Sequence, residues 1–117
     1  MQLVPYNLTE DGFETHTAVN YLSQFLLTQL LFKHNLINEP GRILVVSSLA
    51  NESVTIDFDD LNWKKRAYSL VGAYAQSKLA NVLFAKELDE RLRRQNRDIT
   101  AVSIHPGPGN TNPSYQI

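Results

Sequence analysis

The hydrophobic patterns of this 117-residue chain predict an α/β fold built on parallel strands, in the order helix, strand, helix, strand. Three observations carry this. Ile43-Leu44-Val45-Val46 is a continuous apolar run of strand length, and Ile99-Thr100-Ala101-Val102-Ser103-Ile104 reads as a second strand. Between them, Leu79, Val82, Leu83, Ala85 and Leu88 recur at helical spacing. Strands joined through a helix run parallel, and such a crossover is right-handed. Parallel strands need cover on both faces and partners on both edges. The sequence offers no third strand, so the chain reads as a piece of a larger α/β sheet.

Residues 1–10 read as a loop, broken by Pro5 and Asn7. Asp11 followed by Glu14 has the spacing of a capping box, which predicts a helix from Asp11 to about His34. Phe13, Val19, Leu22, Phe25, Leu26, Leu30 and Phe32 would form its apolar face. Pro40-Gly41 marks a turn, and Arg42 to Ser48 the first strand, its unbroken apolar run suggesting burial on both sides. Residues 49–72 form a polar connection in which Asp57, Asp59 and Asp60 read as a solvated acidic loop with no metal site. The second helix spans Ala73 to about Gln95. Arg91, Arg93 and Arg94 near its end complement the helix dipole. The second strand, 99–104, runs into the loop from His105-Pro106-Gly107 to Thr111.

The composition narrows the function classes. A chain that is 43% apolar and 20% charged is that of an ordinary globular domain. A net charge of -1 argues against nucleic-acid binding, and the arginines at the second helix end read as a solvated surface. The absence of cysteine excludes disulfides, thiolate nucleophiles and cysteine metal sites. The N-terminus has no signal-peptide pattern, and the longest apolar run, Phe25 to Phe32, is interrupted by Gln29. An intracellular location is the expectation. The triplets Asn7-Leu8-Thr9 and Asn51-Glu52-Ser53 read as chance matches to a glycosylation signal.

Chemistry centres on Tyr74 and Lys78, four residues apart and so on one helix face. A cation beside a phenol favours the phenolate. Bringing a tyrosine from ~10 to near 7 takes about 4 kcal/mol, which a lysine and a cationic cofactor could share. Ligands of open α/β sheets sit at the carboxyl ends of the strands. Ser47-Ser48 and His105-Pro106-Gly107 end the two strands, and Tyr74 and Lys78 lie near the start of the connecting helix. All three groups can converge on one edge.

Ordered stretches support a family resemblance: Leu8-Thr9-Glu10-Asp11-Gly12-Phe13-Glu14, Val19-Asn20-Tyr21-Leu22, Arg42 through Ala50, Phe58-Asp59-Asp60-Leu61-Asn62, Ala73-Tyr74-Ala75-Gln76-Ser77-Lys78-Leu79-Ala80-Asn81 and His105-Pro106-Gly107. In this order they resemble the short-chain dehydrogenase/reductases, and among them the retinol-dehydrogenase-like group. The resemblance implies a partial Rossmann-like, doubly wound parallel sheet, with residues 1–117 forming the catalytic segment of an incomplete domain. It implies Tyr74 as acid/base, Lys78 as its pKa-lowering partner and ribose ligand, Ser48 as the group bonding the substrate oxygen, and Asn20 as the holder of a relay water. Pro106, Gly107 and Thr111 would lie along the cofactor, NAD or NADP. Ser47, His105, His16 and His34 are expected to be structural or surface residues.

The pattern also departs from the family. Its glycine-rich phosphate turn, which sets a pyrophosphate on a helix N-terminus, has no counterpart in this sequence. Ser23 stands where the group has glycine, and Pro108 and Gly109 where it has aliphatic residues. The expected function is therefore an oxidoreductase segment that is inactive alone, acting on a lipophilic alcohol or carbonyl in its full-length form. The alternative is a truncated, non-catalytic piece that serves dimerisation or partner binding through the two long helices.

Overall fold

A computed structural model describes residues 4–107. The helical segment of the first half opens as a π-helix, Thr17–Leu22, and continues as α1, Ser23–Lys33. Strand β1 is Gly41–Val46, followed by a 3-10 turn, Leu49–Ser53. Helix α2 is Leu70–Arg94 and strand β2 is Ile99–Ile104. The strands pair in parallel, Gly41 opposite Ile99 through Val46 opposite Ile104. The helix–strand–helix–strand order and the parallel pairing are those the sequence predicts, and the fold is α/β, of the partial Rossmann-like type.

The core lies between α2 and one sheet face. Val45, Ile99 and Ala101 pack on Phe84, Ala85, Leu88 and Leu92. The other face is bare among the described residues: Leu44 is 58% exposed, and Val46, Val102 and Ile104 are also exposed. The expectation of burial on both sides is thus met on one side only, because these residues supply a single covering layer. Leu83, expected in the core, is 45% exposed and lines a cleft instead.

The first helix starts later than the Asp11 capping pattern suggests. Asp11 sits in a turn, and Glu14 does the capping. Its Oε1 accepts from the His16 N–H and its Oε2 from the Thr17 N–H, at 2.9 and 2.8 Å. These N–H groups lie two and three residues on, the offsets at which a capping aspartate accepts. Ser23 Oγ donates to the Val19 carbonyl at 2.6 Å, where the π turn gives way to α1.

The acidic loop is less solvated than expected. Asp60 is buried and accepts from the backbone N–H groups of Lys64 and Lys65. Arg66 lies over the Trp63 ring at 3.7 Å and donates to Gln76 Oε1 at 2.8 Å, tying this loop to α2. The arginines near the end of α2 pair with Glu87 and Asp89 one turn back and stay exposed, as expected. Among the described residues no helix is long and apolar enough to cross a membrane.

Candidate functional site

Helix α2 carries two of the candidate residues and brings Lys78 to the carboxyl end of β1. Ser69 caps the helix, its Oγ accepting from the Gly72 N–H at 3.0 Å, and Tyr74 and Lys78 follow on successive turns. The Lys78 ammonium donates to the carbonyl of Val46, the last residue of β1, at 3.3 Å. It lies 5.7 Å from the centre of the Tyr74 ring. Burial lowers the Lys78 pKa from its ordinary value.

The two serines that follow β1 divide their tasks. Ser47 is buried and donates to the Lys78 carbonyl at 2.8 Å. Ser48 caps the following 3-10 turn, accepting weakly from the Ala50 N–H at 3.4 Å. The structural reading of Ser47 therefore matches its placement. Ser48 retains a half-buried hydroxyl at the strand end.

Asn20 is buried inside the π-helical stretch, the wider helical turn often found at functional positions. Its Nδ2 donates to Ser77 Oγ at 3.0 Å, and that hydroxyl donates to the Tyr74 carbonyl at 2.7 Å. Asn20 thus meets α2 between Tyr74 and Lys78. Asn20 and Lys78 share the wall of a cleft of about 600 Å³ between the first helix and β1, with Asn81, Val19, Leu27 and Leu44. Pro106 and Gly107 follow β2, and Gly107 has φ +81°, a backbone state that suits glycine. Thr111 lies outside the described residues.

Two groups escaped sequence reasoning. Asn81 Nδ2 donates to the same Val46 carbonyl as Lys78, at 3.1 Å, while its Oδ1 is buried without a partner among the described residues. Its spacing, three residues beyond Lys78, was the available signal. The second group is a buried cluster behind Tyr74. His16, expected on the surface, is fully buried, with Nδ1 2.8 Å from Glu14 Oε1 and Nε2 accepting from the Val4 N–H at 3.3 Å. Tyr68 Oη also donates to Glu14 Oε1, at 3.0 Å. Burial raises the Glu14 pKa, but the bonds from His16, Thr17 and Tyr68 outweigh it and leave the carboxyl below its ordinary range. Burial, and then the Glu14 carboxylate, push Tyr68 well above the usual tyrosine value, so it stays a donor. Nothing in the pattern of Glu14, His16 and Tyr68 marks them as neighbours, because the loop that carries Tyr68 is long.

A second cleft, about 430 Å³, opens between the first helix, α2 and the loop, lined by Phe13, Tyr21, Phe25, Ile56, Leu83 and Phe84. Its lining is mostly apolar, with Glu87, the amides of Asn62 and Gln76 and the hydroxyls of Thr17 and Ser77 as its polar groups apart from the Tyr21 phenol.

No family model matches the chain. It is 50% identical over 107 residues to human "Retinol dehydrogenase 13", 48% to human "Retinol dehydrogenase 12" and 45% to mouse "Retinol dehydrogenase 11". Each alignment takes in 92% of this chain and 32 to 33% of the relative. The chain thus spans about a third of the length of the curated relatives it matches. The crystal structure of an uncharacterized protein from Mycobacterium paratuberculosis superposes with a TM-score of 0.83 at 43% identity, over 96% of this chain and 40% of the other.

Proposed function

We propose that this chain, a retinol-dehydrogenase-like segment of the short-chain dehydrogenase/reductase family, carries the proton-transfer part of an NAD(P)-dependent oxidoreductase acting on an alcohol or carbonyl. The observation that carries the reading is the placement of Tyr74 and Lys78 on one face of α2, with the Lys78 ammonium at the carbonyl that ends β1. Tyr74 is the acid/base that exchanges a proton with the substrate oxygen. Lys78 favours its phenolate, Ser48 bonds the same oxygen from the strand end, and Asn20, which meets α2 between Tyr74 and Lys78 through Ser77, holds a relay water. The names of the relatives support an oxidoreductase, and retinol, a lipophilic alcohol, suits the proposed substrate class.

The residues present suit the nicotinamide–ribose end of such a cofactor. The Lys78 ammonium and a buried amide oxygen without a partner among the described residues, Asn81 Oδ1, stand together at the strand end, and among the described residues no atom lies within 4 Å of where a Cβ on Gly107 would project. Lys78, Tyr74, Pro106 and Gly107 would hold that end, with Thr111 proposed beyond the described residues. When bound, the cofactor supplies the hydride chemistry. In this chain the work is positional: Ser47 fixes the α2 turn to β1, and Asn81 shares the Val46 carbonyl with Lys78.

The test is Tyr74→Phe in the full-length protein that carries this segment. It should lose nearly all turnover while still binding NADH or NADPH in calorimetric titration. Undiminished turnover would refute the assignment.

A second reading is favoured by Phe25, Leu26 and Leu83, which are 40, 58 and 45% exposed on the two helices. This surface suits association with a second copy, and the isolated 117-residue chain would then be a non-catalytic piece. Calorimetric titration of the isolated chain separates the readings: no nicotinamide nucleotide should bind, and micromolar binding would exclude the non-catalytic one.

A further inference from the structure

Glu14 needs only its two backbone bonds, to the N–H groups of His16 and Thr17, to cap the first helix. The structure goes further. It buries the His16 ring completely and adds a second donor, Tyr68 Oη, to the same carboxylate oxygen. Burying an ionisable pair is costly compared with an apolar pair of similar volume. What the pair provides is a fixed orientation: Nδ1 is committed to Glu14 Oε1 and Nε2 faces the Val4 N–H, so the imidazole cannot turn over without losing both.

The ring held in this way stands against Tyr74. The two ring centres are 6.2 Å apart at an interplanar angle of 78°, the edge-to-face arrangement that aromatic pairs favour. The Lys78 ammonium lies 5.7 Å from the centre of the same ring. Tyr74 has no other ring contact among the described residues.

We propose that His16, clamped by Glu14 and Tyr68, is a positioning residue that seats the Tyr74 ring. The inference rests on the proton-transfer role given to Tyr74 above. Proton transfer tolerates little displacement of the acid, so a loosened ring costs turnover and leaves substrate affinity largely intact.

The test uses the full-length protein that carries this segment, labelled with 3-fluorotyrosine, with the Tyr74 resonance assigned by its loss in Tyr74→Phe. His16→Ala should lower kcat about tenfold with KM within about twofold, and should shift or broaden the Tyr74 fluorine signal. His16→Gln keeps a donor for Glu14 and most of the bulk, and should restore kcat to within about threefold of the parent. A folded His16→Ala protein with unchanged kcat, or with an unmoved Tyr74 signal, overturns the proposal. Should His16→Ala not fold, Glu14→Gln decides, because it keeps the shape and weakens the clamp; an unmoved Tyr74 signal there also overturns it. If Tyr74→Phe retains full turnover, the proton-transfer reading itself falls. If Tyr74→Phe is inactive and His16→Ala is unaffected, only the positioning role falls.

Discussion

Ser47 Oγ donates to the Lys78 carbonyl at 2.8 Å, so the end of β1 is fastened to the turn of α2 that carries Tyr74 and Lys78. A buried hydroxyl-to-carbonyl bond contributes about 1 kcal/mol. Ser47→Ala should lower the stability by that amount in urea unfolding, without a change in m-value. If Ser48 is the serine that meets substrate, Ser48→Ala should instead leave stability nearly unchanged and remove most of the turnover of the full-length protein. The reverse pattern would exchange the roles of the two serines.

Glu14 predicts the pH dependence of stability. Its carboxyl is held below its ordinary value in the fold, against the effect of burial, by bonds from His16, Thr17 and Tyr68. A depressed folded pKa contributes stability that is present above the unfolded value, near ~4.3, and is lost as pH falls through the folded value. Glu14→Gln should therefore be less stable than the parent at pH 7, and the difference should shrink as the pH falls below about 4. A difference that stays constant across this range would mean that the charge of Glu14 adds nothing to the fold.

Much of this was readable in the sequence, and the failures have physical causes. The strand Ile99–Ile104 and the placement of Tyr74 and Lys78 on one helix face follow from local period alone. The start of the first helix did not, because Asp11 and Glu14 compete for one capping task, and the tertiary bond that the Glu14 N–H donates to Asn62 Oδ1 favours the later start. The burial of His16 depends on Tyr68, 52 residues away, and no periodicity reports such a contact. Asp60 read as solvated because Arg66 and the N–H groups of Lys64 and Lys65 meet it only after the loop has folded back.

Gly72 marks where that loop rests on α2. A Cβ added there would stand 2.8 Å from the Trp63 ring and 3.1 Å from the capping Ser69. Helix propensity favours alanine by about 1 kcal/mol, but overpacking costs about 1–3 kcal/mol. Gly72→Ala should thus destabilise the protein on balance, with a red-shifted tryptophan emission as the chain's single Trp63 is displaced. A more stable variant with unchanged emission would show that Trp63 yields without cost.

The bare face of the sheet gives the last prediction. Leu44, Val46, Val102 and Ile104 project from the side that α2 does not cover, and β1 has a partner on one edge only among the described residues. An exposed apolar strand edge is a template for pairing with other chains. The isolated 117-residue chain should therefore self-associate, seen as light scattering that rises with concentration and as binding of a hydrophobic dye. Leu44→Lys with Val102→Lys should suppress both, since each places a charge on the exposed face without touching the Val45–Phe84 core. In the full-length protein the same pair should do the opposite and prevent folding, if the sheet there is covered on its second side. A full-length variant that folds and remains soluble would mean that this face is open to solvent in the complete molecule as well.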